Sequence, residues 1–207
     1  MKGDNTMTYG RAWYRIRFIT LFALFLICLF AGNCLAEDQP VKTLKGYVTF
    51  GGGGNGGDAK ATNLRLEGGV YSVNKTVNVL FGLGIPFTVN RDETPSDLHD
   101  YPIPHNNFTD LGTKRKGEEV GLYGKFGIAP IKNVGLFIFG IGGFTSGNEI
   151  RLSQSNVTGW YYTEEETTKT YGLYGGGIGY FPLQGHFTVH AQYDNRMGIT
   201  GSLGFAW

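Results

Sequence analysis

Charge is scarce in this chain. Asp, Glu, Lys and Arg make up 17% of its 207 residues and leave a formal net charge of +1, where an average soluble domain carries about 25%. Glycine and aromatics in such numbers beside so little charge exclude a disordered polyelectrolyte and a coiled coil, and so small an imbalance excludes a nucleic-acid partner. A sustained helical period is missing beyond the N-terminal segment, so no amphipathic helix is available. Cysteine is confined to Cys28 and Cys34, whereas glycine is abundant at 34 residues, alongside 15 Phe, 12 Tyr and 3 Trp. The length suits one domain of ordinary size.

Arg11, Arg15 and Arg17 precede the uncharged run Phe18–Phe30, and small residues follow up to Ala36. This is the order of a secretory signal. As a helix the run rises about 20 Å, short of the roughly 30 Å hydrocarbon core an anchor must cross. Residues 1–36 are therefore expected to be a signal peptide cut after Ala36. A lipoprotein site fits poorly, because Asn33 precedes Cys34 and Ile27 precedes Cys28. Cleavage removes both cysteines, so the remaining 171 residues, 37–207, hold no thiol and no disulfide. It also removes Lys2, Arg11, Arg15, Arg17 and Asp4, taking the net charge from +1 to −2. An exported chain of this kind draws its stability from a core or from lipid.

Alternation at period two recurs along residues 37–207 and predicts eight strands. The first sets Leu44, Gly46, Val48 and Phe50 against Lys45, Tyr47 and Thr49; the second sets Leu64, Leu66, Gly68 and Val70 against Asn63, Arg65 and Glu67. In the third, Val77, Val79, Phe81, Leu83, Ile85, Phe87 and Val89 form one apolar face, with Pro86 suiting an edge or a bulge. The fourth places Val120, Leu122, Phe126 and Ile128 opposite Glu119, Tyr123 and Lys125. The fifth, Val134 to Ser146, is apolar on both faces around Phe137–Ile141, which leaves its orientation open. The sixth, about Thr170 to Phe181, is so glycine-rich that its register is weakly specified. The seventh sets Phe187, Val189, Ala191 and Tyr193 against Thr188, His190 and Gln192, and the eighth sets Ile199, Leu203, Phe205 and Trp207 against Thr200 and Ser202.

Short turns (72–76, 130–133, 182–185) alternate with long polar segments (90–117 and 147–169). Short connections at one end and long ones at the other are the habit of an up-and-down barrel in an outer membrane. The apolar face points outward on the charge argument: the third, fifth and eighth strands carry no Asp, Glu, Lys or Arg, whereas a water-facing wall wants roughly 25–35% charge. The third strand is also long enough for a tilted span of about 9–11 residues. The expected fold is thus all-β, an eight-stranded antiparallel up-and-down transmembrane β-barrel over residues 37–207.

With Leu203, Phe205 and Trp207 alternating at its end, the sequence resembles the small outer-membrane β-barrel family of Gram-negative bacteria, the opacity-type and outer-membrane-protein-A-like barrels. The resemblance covers roughly residues 37–207. It implies a place in the outer membrane, outer-membrane lipid and lipopolysaccharide as surroundings, and Leu203, Phe205 and Trp207 as a signal read by the barrel assembly machinery. Trp207 departs from the family's commoner terminal phenylalanine. The role implied is structural or surface interaction through exposed loops, with the extracellular partner unnamed.

Candidate chemistry is sparse. Inside the barrel, Lys45, Arg65 and Lys125 are expected to pair with Glu67 and Glu119, because an unpaired buried charge is costly. Such a lumen charge network serves as a stabilising plug or as the gate of a narrow channel, the interior of eight strands being too narrow for a diffusion pore. Matching the apolar faces of the last two strands places Val189 opposite Leu203, Phe187 opposite Phe205 and His190 opposite Ser202. A histidine beside a serine is the start of a nucleophile, as in a lipid-modifying enzyme. Asp194 lies about 13 Å further along the strand, and the pair sits in a lumen that lipid does not enter, so the chain is read as no enzyme. In the long segments, His99 and His105 with Asp97, Asp100 and Asp110 match no closed metal site. Lys114, Arg115 and Lys116 suit lipopolysaccharide phosphates, and Glu164, Glu165 and Glu166 suit divalent cations, unless both runs are simply hydrated loop. No metal and no cofactor is assigned.

Overall fold

The computed structural model describes residues 44–54, 56–72, 78–100, 107–131, 134–184 and 186–207. The expected signal peptide and its cleavage point lie outside them, as do Val77 and His105. The described residues form strands and no helix: β1 (Leu44–Gly53), β2 (Thr62–Ser72), β3 (Val79–Val89), β4 (Leu98–Asp100), β5 (Phe108–Ile128), β6 (Leu136–Ser155), β7 (Tyr161–Tyr180), β8 (Phe187–Asp194) and β9 (Gly198–Ala206).

Eight of them close on one another in the order β7-β6-β5-β3-β2-β1-β9-β8, with β8 returning to β7. Every pairing in this ring is antiparallel. The expected purely antiparallel eight strands need one correction. The short β4 stands outside the ring and runs parallel to β7, Leu98 opposite Tyr161.

The period-two pattern fixes which side of each strand faces the interior. β8 alternates without exception, Phe187, Val189, Ala191 and Tyr193 exposed and Thr188, His190, Gln192 and Asp194 buried. Its register with β9 places Phe187 opposite Phe205, Val189 opposite Leu203 and His190 opposite Ser202. The open orientation of Phe137–Ile141 resolves with Phe137, Phe139 and Ile141 turned inward and Ile138 outward. In glycine-rich β7 the register is set by both neighbours, Gly175 facing Ile141 on β6 and Asp194 on β8. Pro86 lies in mid-strand. The β3–β5 ladder skips Ile85 and Pro86 and resumes in unchanged register at Phe87 opposite Val120, as a residue without an N–H requires.

Among the described residues, the segment 147–169 is strand on either side of 156–160, and within 90–117 residues 98–100 and 108–117 are strand, which corrects the sequence reading. The outer parts of β5, β6 and β7 run on past the ring as a three-stranded sheet, with β4 on its β7 edge. One face of that extension is covered, Ile150 and Leu152 on β6 being buried, but its apolar positions are too few and too interrupted by charge to read as a strand. β5 is bulged twice there, between Asp110 and Thr113 and between Lys116 and Val120. Gly112 (φ 75°) and Gly117 (φ 65°) sit at these bulges in the left-handed conformation that glycine adopts without a Cβ clash.

The ring's core lies inside it, toward the short turns. Phe181 meets Tyr47 at 4.9 Å and Tyr71 and Phe137 at 5.5 Å between ring centroids, edge-on or tilted. Leu80, Phe139, Ile141, Leu173 and Ala206 belong to the same buried cluster.

Candidate functional site

The interior holds a charged network above the aromatic filling. Glu67 on β2 is its first node: the Tyr47 hydroxyl donates to Oε1 at 2.7 Å, the Tyr123 hydroxyl to Oε2 at 2.8 Å, and Lys125 Nζ lies 2.6 Å from Oε2. Gly82 and Gly84 on the intervening β3 leave the space that Tyr47 and Tyr123 occupy, since a Cβ on either would overlap a tyrosine. Glu119 on β5 is the second node. It accepts from Arg196 at 2.5 and 3.0 Å and from Thr145 Oγ1 at 2.5 Å, and lies 3.2 Å from Arg91 Nε.

These pairings differ in part from the expected ones. Lys125 meets Glu67, but Arg65 turns to Asp194. Glu119 takes Arg91 and Arg196 in place of the expected lysines and Arg65, and Lys45 Nζ reaches toward the Pro182 carbonyl at 3.4 Å. Arg91 and Arg196 escaped the sequence reading, which took Asp194 only as a distant carboxylate beside His190 and Ser202. Asp194 carried a signal, because it continues the inward run His190, Gln192; Arg91 and Arg196 fall just beyond strand ends, where alternation no longer assigns a side.

The interior is filled at both ends. Toward the long segments, the connection between β1 and β2 folds across: the N–H groups of Asp58 and Ala59 donate to Asn195 and Arg196 carbonyls at 2.8 and 2.9 Å. From β5, Arg115 donates to the Asp58 and Ala59 carbonyls at 2.9 and 2.5 Å. Ala59, Ala61 and Met197 are buried beneath this closure. His190 Nε2 lies 3.3 Å from Lys125 Nζ and 3.8 Å from Glu67 Oε2. Its Nδ1 has no partner among the described residues, so no bond activates Ser202, although the two residues are paired in register.

The outer sheet carries the second set of charges, paired across strands. Arg151 meets Asp110 at 2.6 Å and Glu164 at 3.2 Å, Lys116 meets Glu166 at 2.6 Å, and Lys169 meets Glu149 at 2.7 Å. Hydrogen bonds from Arg151 and the Gly112 N–H hold the Asp110 carboxyl below the usual aspartate range. Those from Lys169 and Tyr171 do the same for Glu149. The basic run is thus partly engaged, Lys116 by a carboxylate and Arg115 by backbone, while Lys114 stands opposite Ile150 on β6. In the acidic run, Glu164 accepts from Ser153 and Glu165 from Thr167. His99 stacks on Trp160 at 4.7 Å. Among the described residues no three His, Cys, Asp or Glu side chains converge as metal ligands.

Leu203 and Phe205 face outward. Trp207 pairs its backbone with Gly46, in both directions, at 3.0–3.1 Å, and its indole covers that glycine.

The outward face of the ring is apolar on all eight strands. Outward positions within 44–52, 64–70, 79–89, 120–128, 136–144, 172–180, 187–193 and 199–205 carry Val, Ile, Leu, Phe, Tyr, Ala or Gly, and no Asp, Glu, Lys or Arg. Phe81, Leu83, Phe126, Ile178, Phe187 and Leu203 are each more than half exposed. Arg65, Glu67, Glu119, Lys125 and Asp194 are buried inside.

No protein-family model matches the chain. No curated protein matches it either. Among solved structures, the crystal structure of Ail, the attachment invasion locus protein of Yersinia pestis, in complex with the heparin analogue sucrose octasulfate, is similar at 15% identity and a TM-score of 0.32, over 79% of this chain and 96% of that one.

Proposed function

We propose that residues 37–207 form a small integral β-barrel of a Gram-negative outer membrane, delivered by the signal segment 1–36, with a structural or surface-interaction role exercised by the sheet beyond the ring. The inverted distribution of polarity carries this reading. An apolar belt on every ring strand is unsuited to water, and buried ion pairs are no substitute for an apolar core in a soluble protein. In lipid the same arrangement is the favourable one, because a closed ring leaves no unpaired edge and the outer face meets acyl chains. The belt has the height for it: β3 runs about 33 Å, or about 25 Å along the axis at a tilt near 40°.

Outer-membrane lipid and lipopolysaccharide are then the immediate partners, and Leu203, Phe205 and Trp207 the segment offered to the barrel assembly machinery. The filled interior speaks against a solute channel, and the detachment of His190 from Ser202 speaks against a lipid-modifying enzyme. Fractionation tests the proposal: the protein is expected in the outer-membrane fraction, resistant to alkaline and urea washes, with the outer sheet open to protease added to intact cells. Recovery in the soluble periplasmic fraction would refute it.

A further inference from the structure

The turn between β6 and β7, residues 156–160, combines an apolar apex with a stretch free of charge. Val157 is 78% exposed and Trp160 51% exposed, and from Leu152 to Thr163 the chain carries no Asp, Glu, Lys, Arg or His. The cross-strand ion pairs of the outer sheet begin on either side of that stretch, at Arg151 and Glu164. From Phe144, at the edge of the apolar belt, β6 continues to Ser155, about 36 Å of strand, or about 28 Å along the axis at a tilt near 40°. The polar layer of a bilayer is about 5–8 Å deep on each side. On the surface-interaction reading the turn therefore stands clear of the membrane that holds the ring.

The backbone of the turn is already satisfied from within. The N–H groups of Val157 and Thr158 both donate to Ser155 Oγ at 3.2 Å, and that of Trp160 to Thr158 Oγ1 at 3.3 Å. The N–H groups of Ser155 and Gly159 donate to the Trp160 and Ser155 carbonyls at 2.9 Å each, and that of Asn156 to the Asn107 carbonyl at 3.0 Å. Every backbone donor from Ser155 to Trp160 thus has an acceptor in the protein. A turn that stays in water has no need of this, because water serves its donors. A turn pressed into the boundary of a bilayer does need it, since an unsatisfied N–H is costly there. A protein groove would recognise the turn through its N–H groups, and none is on offer.

Trp160 suits the same place. An indole seats at the level of lipid headgroups, its body toward the acyl chains and its N–H toward water, and the stack on His99 at 4.7 Å holds the ring. Asp97, exposed just ahead of β4, and Asp100, opposite Thr163, flank the turn on the β7 edge. These acidic positions confine entry to the apex.

We infer that the β6–β7 turn is an interfacial anchor for the phospholipid surface of a facing bilayer, with Val157 at the acyl boundary and Trp160 among the headgroups. The inference rests on the surface-interaction reading and names the partner.

The test mixes the processed chain, residues 37–207, held in nanodiscs of phosphatidylcholine, with vesicles of phosphatidylcholine brominated on its acyl chains, which quench an indole that reaches them. Of the two tryptophans in those residues, Trp160 and Trp207, Trp160 is expected to be quenched, and Trp160→Phe, which keeps Trp207, to show no quenching. Val157→Ser is expected to raise the vesicle concentration for half-quenching about tenfold. Ser155→Ala leaves Val157 and Trp160 in place but strips the acceptor from two N–H groups, and is expected to raise it by a similar factor. No quenching in the parent, equal quenching in Trp160→Phe, or quenching unchanged in Val157→Ser and Ser155→Ala overturns the inference. So does pairing of nanodiscs without vesicles, seen by light scattering and lost in Val157→Ser, which would give the turn to a second copy of the chain. Labelling of Val157→Cys on intact cells by a membrane-impermeant thiol reagent tests the placement separately. Labelling without vesicle binding removes the lipid partner and leaves the surface placement, whereas vesicle binding without labelling removes the surface placement, and with it the facing bilayer, and leaves the turn's affinity for lipid.

Discussion

Lys125 on β5 and Glu67 on β2 meet at 2.6 Å across the intervening β3, whose Gly82 and Gly84 carry no side chain to separate them. Both are buried, and the two tyrosine hydroxyls on Glu67 occupy further carboxylate lone pairs. Removing one partner leaves a buried charge uncompensated. Lys125→Met alone is expected to destabilise the folded protein by about 3–5 kcal/mol, and the double variant Lys125→Met with Glu67→Gln by less than the single one. Urea midpoints in lipid vesicles measure both; a double variant no more stable than Lys125→Met would show that the pair is not the unit.

The inward glycines of β3 make a second prediction. A Cβ at Gly84 would overlap the Tyr123 ring, whereas one at the outward Gly124 finds its nearest neighbour at 3.9 Å. Gly84→Ala is expected to cost about 1–3 kcal/mol by overpacking, and Gly124→Ala to leave the urea midpoint nearly unchanged. Equal effects at the two sites would place the tyrosines elsewhere.

Glu149 and Lys169 couple the outer strands to pH. Because the Glu149 carboxyl is held below its ordinary value of 4.5, first by the Lys169 bond and then by Tyr171, the pair's contribution is fully present above that value. It is lost as pH falls through the lowered one. Carboxyl titration by NMR is expected to find Glu149 protonating below 4.5 in the parent chain and closer to 4.5 in Lys169→Met. No change in that variant would mean that the lysine is not the cause.

The filled interior bears on transport. In planar bilayers the protein is expected to give no unitary conductance steps, because Tyr47, Tyr71, Phe137 and Phe181 occupy one end and the Arg115-tied connection covers the other. Regular steps that change on replacing Lys125 would restore the channel reading.

Alternation made much of the ring readable before any coordinates. It assigned the faces of Phe187–Tyr193 and Ile199–Trp207 and the pairing of His190 with Ser202, because one apolar and one polar stripe leave a single register. It failed where both stripes were alike. Phe137–Ile141 is apolar on both faces because its inner face joins the aromatic filling, and the extension of β5, β6 and β7 reads as loop because charge interrupts its short alternation, although Ile150 and Leu152 of β6 are buried. The interior charges were readable as a set, since they share the inward stripe, but their partners were not. Arg65 and Glu119 choose Asp194, Arg91 and Arg196 through the closure of the ring, which brings together residues more than 70 positions apart or held by irregular chain near the strand ends.

The central claim is that the apolar belt faces acyl chains. Nitroxide labels placed one at a time along β8, in residues 37–207, which hold no other cysteine, test it through collisions with dissolved oxygen and with a water-soluble nickel chelate. At Phe187, Val189, Ala191 and Tyr193 the expected result is strong oxygen broadening and little from nickel, with low values of both at Thr188, His190 and Gln192. Nickel access at the four outward positions, equal to that at an exposed site such as Val157, would contradict it.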